Sequence, residues 1–191
     1  MSLRKLIAFE SVSADGYFAD RNGDISWAHD KSNDPEFHDF VSGNAESGGM
    51  LVMGRITYQM MEKYWPSPEA KKNDPVVAEG MNKAPKLVFS KTLSNPSWAN
   101  TKVVSSDPAS AIREEKNKSG PDMAILGSGS IVSQLADAGL IDEYQLVVVP
   151  VVLGDGRKLF DIHDKLGLDL KSSRSFKNGN VVSTYVTKKS G

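Results

Sequence analysis

One short segment, residues 123–132, constrains the fold of this chain more than any other. Four apolar residues typical of a buried strand run into a turn of small residues, and a helical pattern follows at once. Such a unit leaves backbone N–H groups free at a helix N-terminus, where the peptide dipoles are positive. Because small residues let a phosphate approach the main chain, the segment predicts a nucleotide site.

A second segment has the same layout. A strand-like run at 50–53 leads into Gly54, which permits a tight turn into the next helix. Arg55 is able to donate two hydrogen bonds to a phosphate, and the Thr57 hydroxyl with nearby amides completes a cradle. An alternative stays open at each turn. Thr57 here and Ser130 in the first segment are also typical helix N-caps, and in that case no ligand is needed and Arg55 is a solvated surface residue.

Ser90 and Lys91 follow a further predicted strand, 86–89. Ligands of open α/β sheets gather at the carboxyl edge, so these two residues are expected beside the two turns. Their hydroxyl and ammonium groups suit an extra phosphate, such as the 2′-phosphate of NADPH, and a polar loop start is the alternative. The turn after Leu126 lacks the later acidic residue of the Rossmann fingerprint, so it matches that motif weakly.

Strands alternate with helices along most of the chain, which predicts an α/β fold with a mixed, mostly parallel sheet flanked by helices. Asp34-Pro35 and Asp107-Pro108 are typical helix starts, and Gly43 is expected to end the first of these helices. Asn178-Gly179 predicts an antiparallel C-terminal hairpin. We expect one domain over 1–191, long loops at 17–31 and 67–82, and strands at 6–12, 50–53, 86–89, 102–105, 123–126, 143–152, 168–176 and 181–187.

Composition excludes several classes of protein. The chain contains no cysteine, which excludes disulfides, thiolate metal sites and a cysteine nucleophile. The net charge of -1 comes from interspersed acidic and basic residues, so no nucleic-acid partner is expected. The three histidines are isolated, so no metal is expected. Glu10 interrupts the first apolar run too early for a signal peptide, and no run approaches the roughly 20 residues of a membrane span, so a cytoplasmic protein without membrane contact is predicted.

A series of motifs resembles one known family. In order, the motifs resemble the dihydrofolate reductase-like fold, and they are most similar to the reductase domain at the C-terminus of bifunctional riboflavin-biosynthesis deaminase-reductases. The resemblance extends over nearly the whole chain and implies NADPH lying across the carboxyl edge of a central sheet. The matching segments are SADGYFA (13–19), MGRITY (53–58), LVFSKTL (87–93), LGSGS (126–130), LIDEY (140–144) and PVVLGDGRKLF (150–160).

The resemblance also implies roles for individual residues and a homodimer. Family members often carry paired glycines joined by a cis peptide at the last turn, whereas this chain has Ser128 as the second residue. The implied cofactor-binding residues are Gly54, Arg55 and Thr57 for the phosphates, Ser90 and Lys91 for the adenosine side, and Gly127, Ser128, Gly129, Ser130 and Ile131 for the pyrophosphate.

Two carboxylates are candidates for the catalytic side, because reduction of a C=N bond needs a proton as well as a hydride. Glu36 precedes Phe40 by one helical turn, a spacing like that of the acid and aromatic residue of the pterin site; His38 and Asp39 are its rivals. Asp15 occupies the family's Asp-Gly position beside the substrate, and a plain turn is the alternative.

The expected function is that of a stand-alone NADPH-dependent reductase. Its small-molecule substrate is pteridine-like or a ribosylaminopyrimidine, as for a 5-amino-6-(5-phosphoribosylamino)uracil reductase. The alternatives are a dihydrofolate reductase and a non-catalytic module that binds NADPH or another ligand.

Overall fold

The computed structural model describes residues 4–29 and 34–188. Ten strands are present in this part of the chain, and eight of them form the central sheet. In chain order they are β1 (Leu6–Ser13), β2 (Tyr17–Ala19), β3 (Met50–Gly54), β4 (Lys86–Phe89), β5 (Thr101–Val104), β6 (Met123–Ile125), β7 (Glu143–Val149), β8 (Arg157–Lys158), β9 (Leu168–Ser175) and β10 (Val181–Thr187).

The central sheet has the order β5-β4-β3-β6-β1-β7-β10-β9, and β2 pairs with β8 in a separate small sheet. The six strands from β5 to β7 are parallel to their neighbours. β10 runs antiparallel to β7, and β9 runs antiparallel to β10. This arrangement confirms the predicted α/β fold with a mostly parallel sheet and an antiparallel C-terminal hairpin. It also brings the carboxyl ends of six strands to one edge.

Six α-helices connect these strands within the described residues. Three of them begin at a side-chain cap followed by proline: Asp34, Ser67 and Asp107 each accept a hydrogen bond from a backbone N–H of the first turn. The helices are α1 (Pro35–Glu46), α2 (Arg55–Tyr64), α3 (Pro68–Asn73), α4 (Pro75–Lys83), α5 (Pro108–Lys116) and α6 (Gly129–Asp137).

The sheet separates two apolar cores because successive strand residues point to opposite faces. In β3, Val52 packs into the core shared with α5 and α6, whereas Leu51 and Met53 pack with residues of α2 and α4. Phe9 of β1 joins a further cluster with residues of α1 and β10. Among the described residues, no helix combines the length and apolar character that a membrane crossing requires.

Several predicted boundaries are wrong, for local reasons. Residues 67–82 hold α3 and most of α4, because a few apolar side chains of this polar segment are buried, and Val77 and Met81 pack in one cluster with residues of β3 and β4. α1 continues through Gly43 to Glu46, and β7 ends at Val149, immediately before Pro150. The predicted loop at 17–31 contains β2 and a short 3-10 helix (Ser26–Ala28), and its last residues lie outside the described chain.

Candidate functional site

The two predicted turns meet at the carboxyl edge of the sheet. β3 ends at Gly54 and β6 is its direct neighbour, so the chain that follows each strand emerges side by side. A Cβ atom placed on Gly54 would lie 2.8 Å from Ser128 Oγ and 3.6 Å from Ile131 Cγ1. A Cβ on Gly127 would lie 3.3 Å from Thr57 Oγ1. The first turns of α2 and α6 are therefore in contact, and glycine at 54 and 127 allows this close approach.

Neither of these helices has a side-chain cap at its N-terminus. Gly54 and Ser128 are the N-cap residues of α2 and α6, and within the described residues neither position provides a side-chain cap hydrogen bond. Thr57 lies two residues into α2, and Ser130 lies inside α6 with its hydroxyl 3.0 Å from Ser128 Oγ. The structure thus excludes the ordinary capping alternative at both turns. Two adjacent, uncapped helix N-termini form a positive site suited to an anion.

The other residues predicted for this edge lie at the carboxyl ends of β3 and β4. Arg55 is exposed at the start of α2, where its Nη1 donates to Gln59 Oε1 at 3.0 Å. Phe89 is in register with Gly54, so Ser90 follows β4 at the same edge. Ser90 Oγ accepts hydrogen bonds from the backbone N–H groups of the loop after it, and Lys91 is exposed beside it.

The Gly127 turn has a tightly defined backbone. Gly127 has φ +81, a conformation that favours glycine, and its peptide bond to Ser128 is cis. Gly129 lies under the small β2–β8 sheet: a Cβ there would be 2.9 Å from the Phe18 ring and 3.0 Å from the Lys158 carbonyl oxygen. Phe18 and Lys158 therefore cover one side of the turn.

A buried carboxyl group behind this turn was missed by the sequence reasoning. Glu10 lies in the middle of β1, is 6% exposed, and its Oε1 accepts a hydrogen bond from the Gly127 N–H at 2.6 Å. Burial raises the pKa of Glu10 to about 8, against the opposing effect of that hydrogen bond. The signal was present in the sequence, since Glu10 alternates with Ala8 and Val12 on the core-facing side of a strand.

Asp15, predicted on the catalytic side, holds two loops together. Its Oδ1 accepts hydrogen bonds from Ser13 Oγ at 2.6 Å and from the Leu153 N–H at 3.1 Å, and its Oδ2 accepts from the Gly154 N–H at 2.7 Å. The Ser13 hydrogen bond, then those from Gly154 and Leu153, lower the pKa of Asp15 below its ordinary value. Asp15 therefore links the end of β1 to the loop after β7.

Glu36 lies in the first turn of α1, toward the C-terminal hairpin. Its Oε2 accepts a hydrogen bond from Arg174 Nη2 at 2.9 Å, and both side chains are about half exposed. Phe40, one turn later, packs against Phe176 with ring centroids 5.6 Å apart. Glu36 and Phe40 share one face of α1, because Arg174, the partner of Glu36, also lies over the Phe176 ring at 4.5 Å.

The hydrogen-bond donors at the carboxyl edge of the sheet suit the phosphate groups of a dinucleotide. Two uncapped helix N-termini meet there, glycine at 54 and 127 lets the two turns approach closely, and the exposed side chains of Arg55 and Lys91 lie at the same edge of the sheet. A cavity of about 610 Å³ lies elsewhere, beside α4 and Trp98. The candidate site lies instead along the carboxyl edge of the sheet.

Two curated relatives match this chain over more than nine-tenths of both lengths, and their names state no activity. The uncharacterised protein YyaP of Bacillus subtilis (strain 168) is 26% identical over 185 residues, which cover 95% of this chain and 94% of YyaP. The uncharacterised protein YwjB of the same organism is 25% identical over 178 residues, covering 91% of this chain and 92% of YwjB.

Solved structures share the fold. A putative riboflavin biosynthesis protein from Shewanella sp. PV-4 has a TM-score of 0.73 at 24% identity, covering 97% of this chain and 99% of its own. A diaminohydroxyphosphoribosylaminopyrimidine deaminase/5-amino-6-(5-phosphoribosylamino)uracil reductase from Thermotoga maritima has a TM-score of 0.65 at 15% identity; it covers 97% of this chain, which corresponds to 57% of that protein.

A family model described as the RibD C-terminal domain matches residues 4–182. The match covers most of the chain, and it agrees with the order of motifs and with the fold shared by the solved structures. The protein belongs to the RibD C-terminal domain family and has its dihydrofolate reductase-like fold.

Proposed function

We propose that this protein is an NADPH-dependent reductase of a pteridine-like or ribosylaminopyrimidine substrate, of the 5-amino-6-(5-phosphoribosylamino)uracil reductase type. Membership of the RibD C-terminal domain family supports an oxidoreductase. The observation that carries the cofactor assignment is the contact between Gly54 and Ser128, which joins two uncapped helix N-termini at one edge.

In this proposal the chain's own groups bind and orient the dinucleotide. The first N–H groups of α2 and α6 donate to the phosphates, and Arg55 exchanges its hydrogen bond with Gln59 for one to a phosphate oxygen. Ser90 and Lys91 recognise the 2′-phosphate. When bound, NADPH supplies the hydride, and the protein supplies position and exclusion of water.

The substrate side is proposed to lie between the β2–β8 sheet and the start of α1. Asp15 is ionised at neutral pH, because its hydrogen-bond donors lower its pKa, so it orients groups rather than donating a proton. Glu36 is the proposed carboxylate for ring N–H groups of the substrate. Its ion pair with Arg174 has to be exchanged when the substrate binds.

Cofactor binding is the first test. NADPH at 100 times its Kd is expected to stabilise the folded protein by about 2.7 kcal/mol, seen as a raised melting temperature. NADH is expected to give a much smaller shift, because it lacks the 2′-phosphate that Lys91 recognises. Equal shifts from the two dinucleotides would exclude Ser90 and Lys91 from the site.

Arg55→Ala tests the phosphate site directly. Loss of one charge-assisted hydrogen bond is expected to weaken NADPH binding by about 1.5–3 kcal/mol, or roughly tenfold to a hundredfold. Arg113→Ala is the matched control, because Arg113 is an exposed arginine on α5. Equal affinity of the Arg55 variant and the wild type would remove Arg55 from the proposal.

Turnover distinguishes the proposed reductase from its alternatives. NADPH oxidation is followed with the phosphorylated ribosylaminopyrimidine and with dihydrofolate in parallel. We expect turnover with the ribosylaminopyrimidine; turnover with dihydrofolate alone would indicate a dihydrofolate reductase. Tight NADPH binding without oxidation in either assay would indicate a non-catalytic binding module.

We also propose that the protein is a homodimer. Ile56, Met60 and Tyr64 recur every fourth residue along α2 and are exposed large apolar side chains. Size-exclusion chromatography with light scattering measures the mass of the protein in solution. A monomer at micromolar concentration would refute the dimer.

A further inference from the structure

Glu10 occupies an unusual position behind the Gly127 turn. It belongs to a strand paired on both sides, by β6 and by β7, and it faces the same core as Ala8 and Val12. Its Oε1 holds the Gly127 N–H at 2.6 Å, and a Cβ on Gly127 would lie 3.7 Å from its Oε2. A carboxyl group therefore lies directly behind the backbone of the Gly127 turn, where the N-termini of α2 and α6 meet.

The surroundings of Glu10 offer no compensating charge. Among the described residues, no lysine, arginine or histidine forms an ion pair with it, and Gly127 is its hydrogen-bond partner. Thr57 approaches the turn from α2 with a neutral hydroxyl group. On β7, Tyr144 is neutral because burial raises its pKa to about 12. Arg55 of α2 is exposed and bonded to Gln59.

The protonation state of Glu10 therefore sets the charge beside the turn. Burial raises its pKa to about 8, so the carboxyl group is mostly neutral at pH 7 and mostly ionised at pH 9. The neutral acid still accepts the Gly127 hydrogen bond and adds no charge to the positive N-termini. The ionised form places a negative charge behind a site built for anions.

We propose that Glu10 positions the Gly127 turn for the cofactor's pyrophosphate while its carboxyl group is neutral, and that ionisation of this group weakens dinucleotide binding. The inference rests on the proposed function, since it requires a dinucleotide at this edge. Glu10 acts through the backbone of Gly127 and is a positioning residue. Repulsion between its charge and the pyrophosphate at low effective dielectric is expected to reduce affinity by about tenfold or more.

The test measures NADPH affinity for the wild type and for Glu10→Gln at pH 7, 8 and 9.5. Glutamine keeps the length of the side chain and an oxygen that accepts from Gly127, but it does not ionise. We expect the wild-type Kd to rise about tenfold across this range and the Kd of the variant to stay nearly constant. The 2′-phosphate of NADPH is about nine-tenths ionised at pH 7 and almost fully ionised at pH 8 and 9.5, because the second pKa of a phosphate monoester is about 6. Its small gain of negative charge therefore does not account for weaker binding at high pH.

Two controls separate this effect from other titrations. Burial also lowers the pKa of Lys86 to about 8, but Lys86 lies at the opposite end of β4 and titrates equally in both proteins. The probe 2′,5′-ADP carries the 2′-phosphate without the pyrophosphate bridge, so its affinity for the wild type is expected to change much less with pH.

A second measurement needs no variant. Calorimetry of NADPH binding to the wild type at pH 8, in two buffers of different ionisation enthalpy, is expected to show proton uptake of about half a proton. This readout remains decisive if Glu10→Gln does not fold.

The outcomes separate the inference from the proposed function. Wild-type binding that is tight at every pH, with no proton uptake, overturns the role of Glu10 and leaves the NADPH site intact. The same pH dependence in Glu10→Gln, or with 2′,5′-ADP, also overturns it. Absence of NADPH binding at pH 7 overturns the proposed function and this inference together.

Discussion

Replacement of Glu10 by glutamine is expected to stabilise the folded protein increasingly as the pH rises, without any ligand. Burial raises the pKa of Glu10 from 4.5 to about 8, against the effect of the Gly127 hydrogen bond. Between these values the folded protein holds a proton on Glu10 that the unfolded chain has lost. The unfolding free energy of the wild type therefore falls as pH rises through this window.

The size of this change in unfolding free energy follows from the pH interval between the two pKa values of Glu10. Each pH unit inside it costs the wild type about 1.4 kcal/mol, and the loss levels off above about pH 8. Glutamine does not titrate, so the stability difference between Glu10→Gln and the wild type is expected to grow by about 3 kcal/mol from pH 5 to pH 8. For a chain of this length, that difference corresponds to about 6–12 °C in melting temperature.

The assay is urea unfolding followed by tryptophan fluorescence at pH 5, 6.5, 8 and 9.5. Glu115→Gln is the matched control, because Glu115 is also 6% exposed but forms an ion pair with Arg4 at 3.1 Å. Burial opposes its ionisation, yet the hydrogen bond and charge of Lys118, with Lys102, bring its pKa below the ordinary value.

The control variant is expected to be destabilised, with little dependence on pH in this range. With a lowered folded pKa, the stability that Glu115 contributes is present above its unfolded pKa and is lost as the pH falls through the folded value. Glu115→Gln is therefore expected to be less stable than the wild type by a nearly constant amount from pH 5 to pH 8. Parallel stability curves for Glu10→Gln and the wild type over this range would refute the reasoning about Glu10.

Two further substitutions test the packing around the site and the fold. Gly54→Ala places a Cβ 2.8 Å from Ser128 Oγ and is expected to lower the free energy of unfolding by about 1–3 kcal/mol. Gly43→Ala is the control: it has open space inside α1 and is expected to raise the free energy of unfolding by about 0.5–1 kcal/mol. Equal effects of the two substitutions in urea unfolding would contradict the contact between the turns. Lys86→Met removes an ammonium group that donates to three backbone carbonyls, among them that of Ala84 at 2.7 Å. It is expected to lower the free energy of unfolding by about 1–3 kcal/mol in the same assay. An unchanged urea midpoint would show that these carbonyls need no donor.

The sequence by itself determined the layout of strands and helices and the two turns. Local patterns carry this information: apolar runs that end at Gly54 and Leu126, and Asp-Pro pairs at the starts of α1 and α5. The same patterns failed at residues 67–82, because two short helices there bury only a few apolar side chains in a polar segment. Burial against a sheet is a tertiary property that a local window does not contain.

Only the tertiary structure decided which alternatives at the site hold. Whether Thr57 and Ser130 cap their helices depends on where each helix begins, and α2 and α6 begin earlier than the sequence indicated. The chemical role of Glu10 depends on strand order, since β1 has to lie next to β6 before its carboxyl group reaches Gly127. Strand order brings together residues more than a hundred positions apart, and the electrostatics of the site depend on those distant neighbours rather than on the local sequence.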